Sequence, residues 1–460
     1  MSPVLADPGS FRDPGGRVFI DGGRVLRAVY DANVPAYEAA RDSGLLDRLI
    51  GQGRLVSSRE VDPRSNPAGE GAAYLLDHER LPFVSYPYEW SFSQLRSAAL
   101  FQLDLLLDAL EAGFTLSDAT AYNIQFVGSE PRFIDHLSIQ PYRDGAIWVG
   151  HRQFCMQFLN PLVLWSRLGV APNAWFRGSL EGIAPEELAP LLRWRDKLSL
   201  TLASHVVAQA AAQRRTTAAP VAKGTRRALP RNAFKAMLLQ LRSYIAGLRP
   251  PRAQTVWKDY DSNNSYASDE AAAKHAFVGE MVRAAQPNLL FDLGCNSGDY
   301  SLTALDNGAR YVVGFDFDLG ALERAIDRSA KGQLPFLPLW LDATNPSPSQ
   351  GWMQAERTGF SDRARGDAVV ALAFVHHLAI ARNVPLGAVI EWITDVAPIG
   401  VIEFPPKSDP MVQQLLSRRP DIFPDYTEET FLAELQSRAK VTASRHLREG
   451  GRLLVAYDRR

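Results

Sequence analysis

Two cysteines in 460 residues, Cys155 and Cys295, are too few and too far apart for a disulfide framework or a paired-cysteine metal site. Net charge is also missing. The 50 basic residues against 51 acidic ones leave −1, which makes no global case for a nucleic-acid or anionic-membrane partner. No apolar run approaches the roughly 20 residues that cross a bilayer. The N-terminus, MSPVLADPGSFRDPGG, lacks the basic-then-apolar pattern of a secretory signal. What remains is 46% hydrophobic and 22% charged, an ordinary globular composition with length for two or three domains. These absences predict a cytoplasmic protein that stays off the membrane.

A complete G-x-G-x-x-G fingerprint is absent too, although the chain contains the unit that normally carries it. Leu289 to Asp318 reads LLFDLGCNSGDYSLTALDNGARYVVGFDFD. It predicts a buried strand, a glycine turn, a helix stopped at Asn307-Gly308, and a second buried strand ending at Asp316. This is the βαβ half-unit of a doubly wound sheet, whose terminal acid is placed to meet ribose hydroxyls. The turn is D-x-G-x-x-x-G, from Asp292 through Gly294 to Gly298. An acid two residues before the first glycine repels a pyrophosphate and suits a cationic amino-acid group.

The pattern resembles motif I of the class I S-adenosylmethionine-dependent methyltransferases. The resemblance implies a Rossmann-like α/β domain with a seven-stranded sheet and helices on both faces, covering 255–460. It also implies S-adenosyl-L-methionine as cofactor. Asp292 and Gly294 then border the methionine moiety, Asn296 and Gly298 line the turn, Asp316 takes the ribose, and Asp342 after the third strand meets the adenine. Further strands are expected at Asp367–Phe374, at Val401–Phe404 and in a final hairpin near 440–445 and 452–457.

Acceptor chemistry is sought at the sheet's carboxyl edge, where doubly wound folds hold ligands. There Val375-His376-His377-Leu378 offers imidazoles that titrate near neutrality, and Glu403 ends the fifth strand. His376, His377 and Glu403 are the catalytic candidates, with a salt bridge near Lys407 as the structural alternative for Glu403. No His or Cys spacing in this half suits a metal. The strings Asp409-Pro-Met-Val-Gln-Gln-Leu-Leu and Asp425-Tyr426, with Trp257, Tyr260 and the histidine pair, resemble bacterial nodulation-type methyltransferases. That resemblance implies a small-molecule or saccharide acceptor, methylated on oxygen or nitrogen. Methylation of RNA or DNA lacks an N-P-P-Y-type motif, because Ala373-Phe-Val-His-His stands in its place.

The N-terminal half has a centre of its own. A hairpin around Asp21-Gly22-Gly23, a helix from Pro35 to Ile50, a proline-punctuated connector and a helix from Phe92 to Ala112 precede Asp118, Asn123 and Asp135. The order resembles the protein-kinase and aminoglycoside-phosphotransferase superfamily. There the first acid receives the substrate proton, while the asparagine and second acid hold magnesium. The resemblance implies an α+β kinase-like domain over 1–205, with ATP and magnesium. The departures are Leu116 where a histidine is usual, no glycine cover loop, and Arg27 where a lysine is usual; arginine's planar fork does not replace it. An alanine-rich basic tract with a following helix, 206–254, reads as a linker. The rival readings are a bifunctional phosphotransferase–methyltransferase and a non-catalytic regulator that only binds the cofactor.

Overall fold

The computed structural model describes residues 4–218, 228–250, 267–417 and 419–460. Trp257, Tyr260 and residues 219–227 of the basic tract lie outside the described residues. The chain divides into two compact units. Unit 1 comprises 1–126, 130–252 and 350–357, and unit 2 comprises 127–129, 253–349 and 358–460.

Unit 1 begins with an antiparallel sheet of β1 (Leu5–Ala6), β2 (Gly16–Asp21), β3 (Arg24–Val29), β4 (Ser58–Val61) and β5 (Tyr74–His78). Its order is β1-β2-β3-β5-β4. The Asp21-Gly22-Gly23 turn is the expected hairpin, pairing Asp21 with Arg24. Alternation turns Leu26 and Ala28 to a core shared with Ala68 and Leu75. The helix expected over 35–50 is two helices, Val34–Asp42 and Leu45–Gly51, because Ser43-Gly44 ends the first. Helix Phe92–Glu111 starts on a Ser91/Gln94 capping box that satisfies two end donors. Its leucines at helical spacing bury one face.

Short pairs follow: β6 (Phe114–Leu116) with β9 (Ile139–Pro141), and β7 (Ile124–Val127) with β8 (Glu130–Phe133). Residues 151–168 are continuously helical with a π-turn at Cys155–Leu159. The helix that begins at Pro185 is broken after Leu191, where Pro190 lies in the last turn, and α-helix resumes at Leu200. Helix Arg231–Gly247 packs on Phe92–Glu111 and is tied by Arg242–Asp104 at 2.5 Å and by Lys235–Glu111.

Unit 2 is built on β10 (Leu289–Leu293), β11 (Tyr311–Asp316), β12 (Phe336–Trp340), β13 (Ala368–Ala371), β14 (Ile399–Phe404), β15 (Lys440–His446) and β16 (Leu453–Asp458). The order is β12-β11-β10-β13-β14-β16-β15. The first five strands are parallel, and β16 runs antiparallel to both its neighbours. Four of the parallel strands are almost wholly apolar because helices cover both faces of such a sheet. Buried Leu290, Val312, Phe336, Val370 and Val401 share one core. After β12 the chain returns to the far side of β10. The strand order therefore reverses between β10 and β13, the position at whose carboxyl edge doubly wound sheets hold their ligands.

Candidate functional site

The carboxyl ends of five adjacent strands carry the predicted residues of unit 2 in spatial order. β12 leads to Asp342, β11 ends in Asp316, β10 leads into the Asp292–Gly298 turn, β13 into Phe374–His377, and β14 carries Glu403. The turn is shaped by backbone conformations that L-residues avoid. Gly294 has φ +78° and Gly298 φ +87°. A Cβ on Gly298 would stand 2.6 Å from the Phe336 ring, so glycine is required there twice over.

The acids of the site face different ways. Asp292 is buried and its Oδ2 accepts a hydrogen bond from the Ser301 hydroxyl at 2.6 Å. Burial pushes its carboxyl up to about 7, with the nearby acids adding to the rise. Asp316 accepts from the backbone N–H groups of Asn296 and Asp318, both at 2.8 Å, which locks the glycine turn to the end of β11. Burial raises its carboxyl, and those amides oppose the rise. Asp342 accepts from the Thr344 amide at 3.0 Å and from its hydroxyl at 2.6 Å. Asn296 sits at φ +48°, a conformation asparagine tolerates better than most residues.

The catalytic candidates are not equivalent. His376 is 1% exposed, and burial lowers its imidazole to about 2. His377 is half-buried and lowered to about 4, again by burial first. Their rings lie 4.1 Å apart. Both are neutral at pH 7, so neither titrates near neutrality as the sequence suggests; loss of hydration outweighs the gain of charge. Glu403 is fully buried. Its Oε1 meets Lys274 at 2.7 Å and Arg452 at 3.3 Å, and its Oε2 accepts from the Ala373 amide at 2.6 Å. Burial pushes its carboxyl up, but the two cations outweigh it and hold it below the usual range. Lys407 pairs with Asp421 instead. Arg452 continues the chain of charges to Asp409 at 2.7 Å.

Sequence reasoning missed Lys274, Arg452 and Asp409, which lie far from Glu403 along the chain. The available signal was a carboxylate inside a fully buried strand, which demands a cation partner.

In unit 1, Asp118, Asn123 and Asp135 also come together. Asn123 Nδ2 donates to Asp118 at 3.1 Å and to Asp135 at 3.2 Å. Arg27 on β3 reaches Asp135 at 2.9 Å and Asp13 at 2.8 Å. Asp118 is raised to about 7, by burial and then by the charge of Asp135. Two imidazoles, His78 and His136, lie 4.7 Å apart with their planes tilted by 39° in the same unit, and both are lowered by burial.

Unit 2 thus has the strand order of the class I methyltransferase fold, with a glycine turn and acids at the strand ends where that fold binds its cofactor. The chain is 49% identical over 457 residues to the nodulation protein NoeA of Rhizobium meliloti (strain 1021), covering 98% of this chain and 95% of that one. It belongs to the family of that nodulation protein. No family model matches the chain. Among solved structures it is similar to the N-methyltransferase NodS of Bradyrhizobium japonicum WM9, at 11% identity and TM-score 0.31, over 42% of this chain and 97% of that one. It is likewise similar to the magnesium protoporphyrin IX methyltransferase of Synechocystis PCC 6803, at 15% identity and TM-score 0.31, over 43% and 89%. Such values add nothing to what the strand order says. Among the described residues no helix is long and apolar enough to cross a membrane.

Proposed function

We propose that unit 2 is an S-adenosylmethionine-dependent methyltransferase acting on an oxygen or nitrogen of a small-molecule or saccharide acceptor. The observation that carries this reading is the meeting of the Asp292–Gly298 turn, Asp316 and the His376–His377 turn at the strand reversal between β10 and β13. Gly294, Asn296 and Gly298 hold a turn that bulkier side chains would distort. Asp316 and Asp342 offer carboxylates for ribose and adenine. Asp292, held near 7 by burial, gains most from a nearby cationic ligand. The cofactor supplies a methyl group already activated on sulfonium, so the protein's part is alignment and removal of a proton. His377, neutral and half-buried, is the residue we assign to accept that proton on a ring nitrogen. His376 packs beside it, and Glu403 fixes the backbone leading to both. Kinship with a nodulation protein favours a small signal molecule as acceptor.

Unit 1 is assigned as a kinase-like domain that binds the acceptor. Its five-strand order and the Asp118–Asn123–Asp135 cluster support the fold reading. The residues as they stand do not fit magnesium: Arg27 already neutralises Asp135, the carboxylate that would hold the ion. A bifunctional phosphotransferase predicts thermal stabilisation by ATP with magnesium that vanishes in Asp135→Ala.

Metabolite profiling with isotopically labelled S-adenosylmethionine, wild type against Asp316→Ala, tests the main reading. It expects a labelled product and S-adenosylhomocysteine that depend on Asp316. Cofactor binding without any turnover would replace the enzyme by a binding regulator.

A further inference from the structure

In unit 1, the helix at 151–168 and the helical stretch that resumes at Leu200 each bring two polar side chains, four residues apart, to the same point. His151 and Cys155 come from the first, His205 and Gln209 from the second. His151 Nε2 lies 2.8 Å from His205 Nδ1 and 3.8 Å from Cys155 Sγ. The three ligand atoms all lie within 4.8 Å of one another. Both helices are interrupted here by π-turns, Cys155–Leu159 and Ala203–Val207. Such single widened turns in helices occur frequently at functional sites.

Gln209 supplies an independent sign. Its Nε2 is 3.0 Å from His151 Nδ1, whereas its Oε1 is buried with no hydrogen-bond partner. The two ends of a side-chain amide are assigned by their neighbours. Turning this amide over puts Oε1 on a His151 Nδ1–H and gives up the 3.6 Å contact that Nε2 makes with Cys155 Sγ. It also fixes the tautomer in which the His151 Nε2 lone pair faces Cys155 and His205. That is the outer-shell arrangement of a metal-ligating histidine.

We propose that His151, Cys155 and His205 bind one zinc-like divalent cation, with Gln209 orienting His151. Two nitrogens and one sulfur are a donor set for zinc. Tetrahedral ligation at the usual bond lengths separates two nitrogens by about 3.3 Å and nitrogen from sulfur by about 3.6 Å. The His151–His205 and His151–Cys155 separations lie within about half an ångström of these values, and the His205–Cys155 separation, at most 4.8 Å, within about 1.2 Å. On binding, the Cys155 thiol loses its proton to solvent and sulfur bonds the metal. The site would brace the Asp118–Asn123 loop. Gln153, beside the cluster, accepts from the Ala119 amide at 2.7 Å, and Gln157 accepts from the Ala121 amide at 2.7 Å.

The test is titration of the metal-free full-length protein with Co²⁺, followed by displacement with Zn²⁺. One equivalent should bind with a thiolate-to-cobalt charge-transfer band that zinc abolishes. Cys155→Ser should lose the band while keeping the wild-type circular dichroism. Gln209→Ala should keep it with affinity reduced about 10–100-fold. Absence of the band in wild type, or its persistence in Cys155→Ser, would overturn the assignment. The wild-type titration decides the matter even if a variant fails to fold.

Discussion

Glu403 Oε2 accepts a hydrogen bond from the backbone N–H of Ala373 at 2.6 Å, and Ala373 is held at φ +49°. The fully buried carboxylate of β14 thereby fixes the strained step by which β13 turns into Phe374–His377. Lys274 and Arg452 keep it ionised. Glu403 is therefore a positioning residue, and the acid that most resembles a base in sequence is the one least free to act as one.

Removing Glu403 should destabilise unit 2 strongly. It leaves Lys274 without its carboxylate and Arg452 with Asp409 alone; losing one partner of a buried pair costs up to about 3–5 kcal/mol, an upper bound for these partly exposed cations. Glu403→Ala should show this in urea denaturation, with Glu403→Gln in between because the amide oxygen still accepts from Ala373. The folded carboxyl lies below its ordinary value of 4.5, so its contribution is complete above that pH. It is lost as pH falls through the depressed folded value, and Glu403→Gln should flatten that acid limb. An unchanged midpoint for Glu403→Ala would refute the role.

Ala373→Gly tests the strain separately. A left-handed non-glycine residue costs about 1–2 kcal/mol, while glycine adds about 0.4–1 kcal/mol of unfolded-state entropy. The substitution should be neutral to stabilising by up to about 1.5 kcal/mol. A clear loss of stability would mean that the turn does not store strain.

Much of unit 2 is legible in the sequence because its strands are continuous apolar runs closed by acids, and a parallel sheet leaves few other arrangements for them. Asp292, Gly294, Gly298, Asp316 and Asp342 could be placed at strand ends from spacing alone. What spacing does not carry is orientation: Asp292 faces Ser301, and His376 is sealed inside. Nor does it carry pairing across long separations, so the partners of Glu403 and the meeting of His151 with His205 were invisible. In unit 1, Asp118, Asn123 and Asp135 were legible as a pattern. The Arg27–Asp135 pair, which changes what that pattern can do, was not.

Gly298→Ala should be among the most damaging single-methyl changes in unit 2. The new Cβ would meet the Phe336 ring at 2.6 Å in a backbone region unfavourable to alanine. Overpacking and strain together predict a loss of about 2–4 kcal/mol. Thermal unfolding should register it, and stabilisation by added S-adenosylmethionine should be lost as well. Gly294→Ala should be milder, since its Cβ would sit 3.3 Å from the Phe374 ring edge.

Asp292→Asn should change how stability depends on pH. The folded carboxyl titrates at about 7 against an ordinary 3.8, so the folded state keeps a proton that the unfolded chain releases. That contribution is full below 3.8 and is lost as pH rises through about 7. Asparagine has no such titration and still fits Ser301. The stability of the variant relative to wild type should therefore rise from pH 4 to pH 8, by at most about 4 kcal/mol. Parallel denaturation curves at the two pH values would show that Asp292 is ionised in the folded protein.

Asn123 donates one amide to two carboxylates, Asp118 and Asp135, and that shared bond sets the last expectation. Burial is the larger cause of the raised Asp118 carboxyl, the Asp135 charge adds to it, and the Asn123 amide opposes it. Asp135→Asn removes the added charge, so the Asp118 carboxyl should titrate lower. Asn123→Ala removes the opposing bond, so it should titrate higher. Carboxyl-selective NMR of the full-length protein, followed from pH 4 to pH 9, reads both directions in one experiment. The Asp135→Asn variant also frees Arg27 from one partner, and its attraction for Asp118 acts in the same downward sense. Movement of both variants in the same direction would show that Asp118 and Asp135 are not electrostatically joined through Asn123.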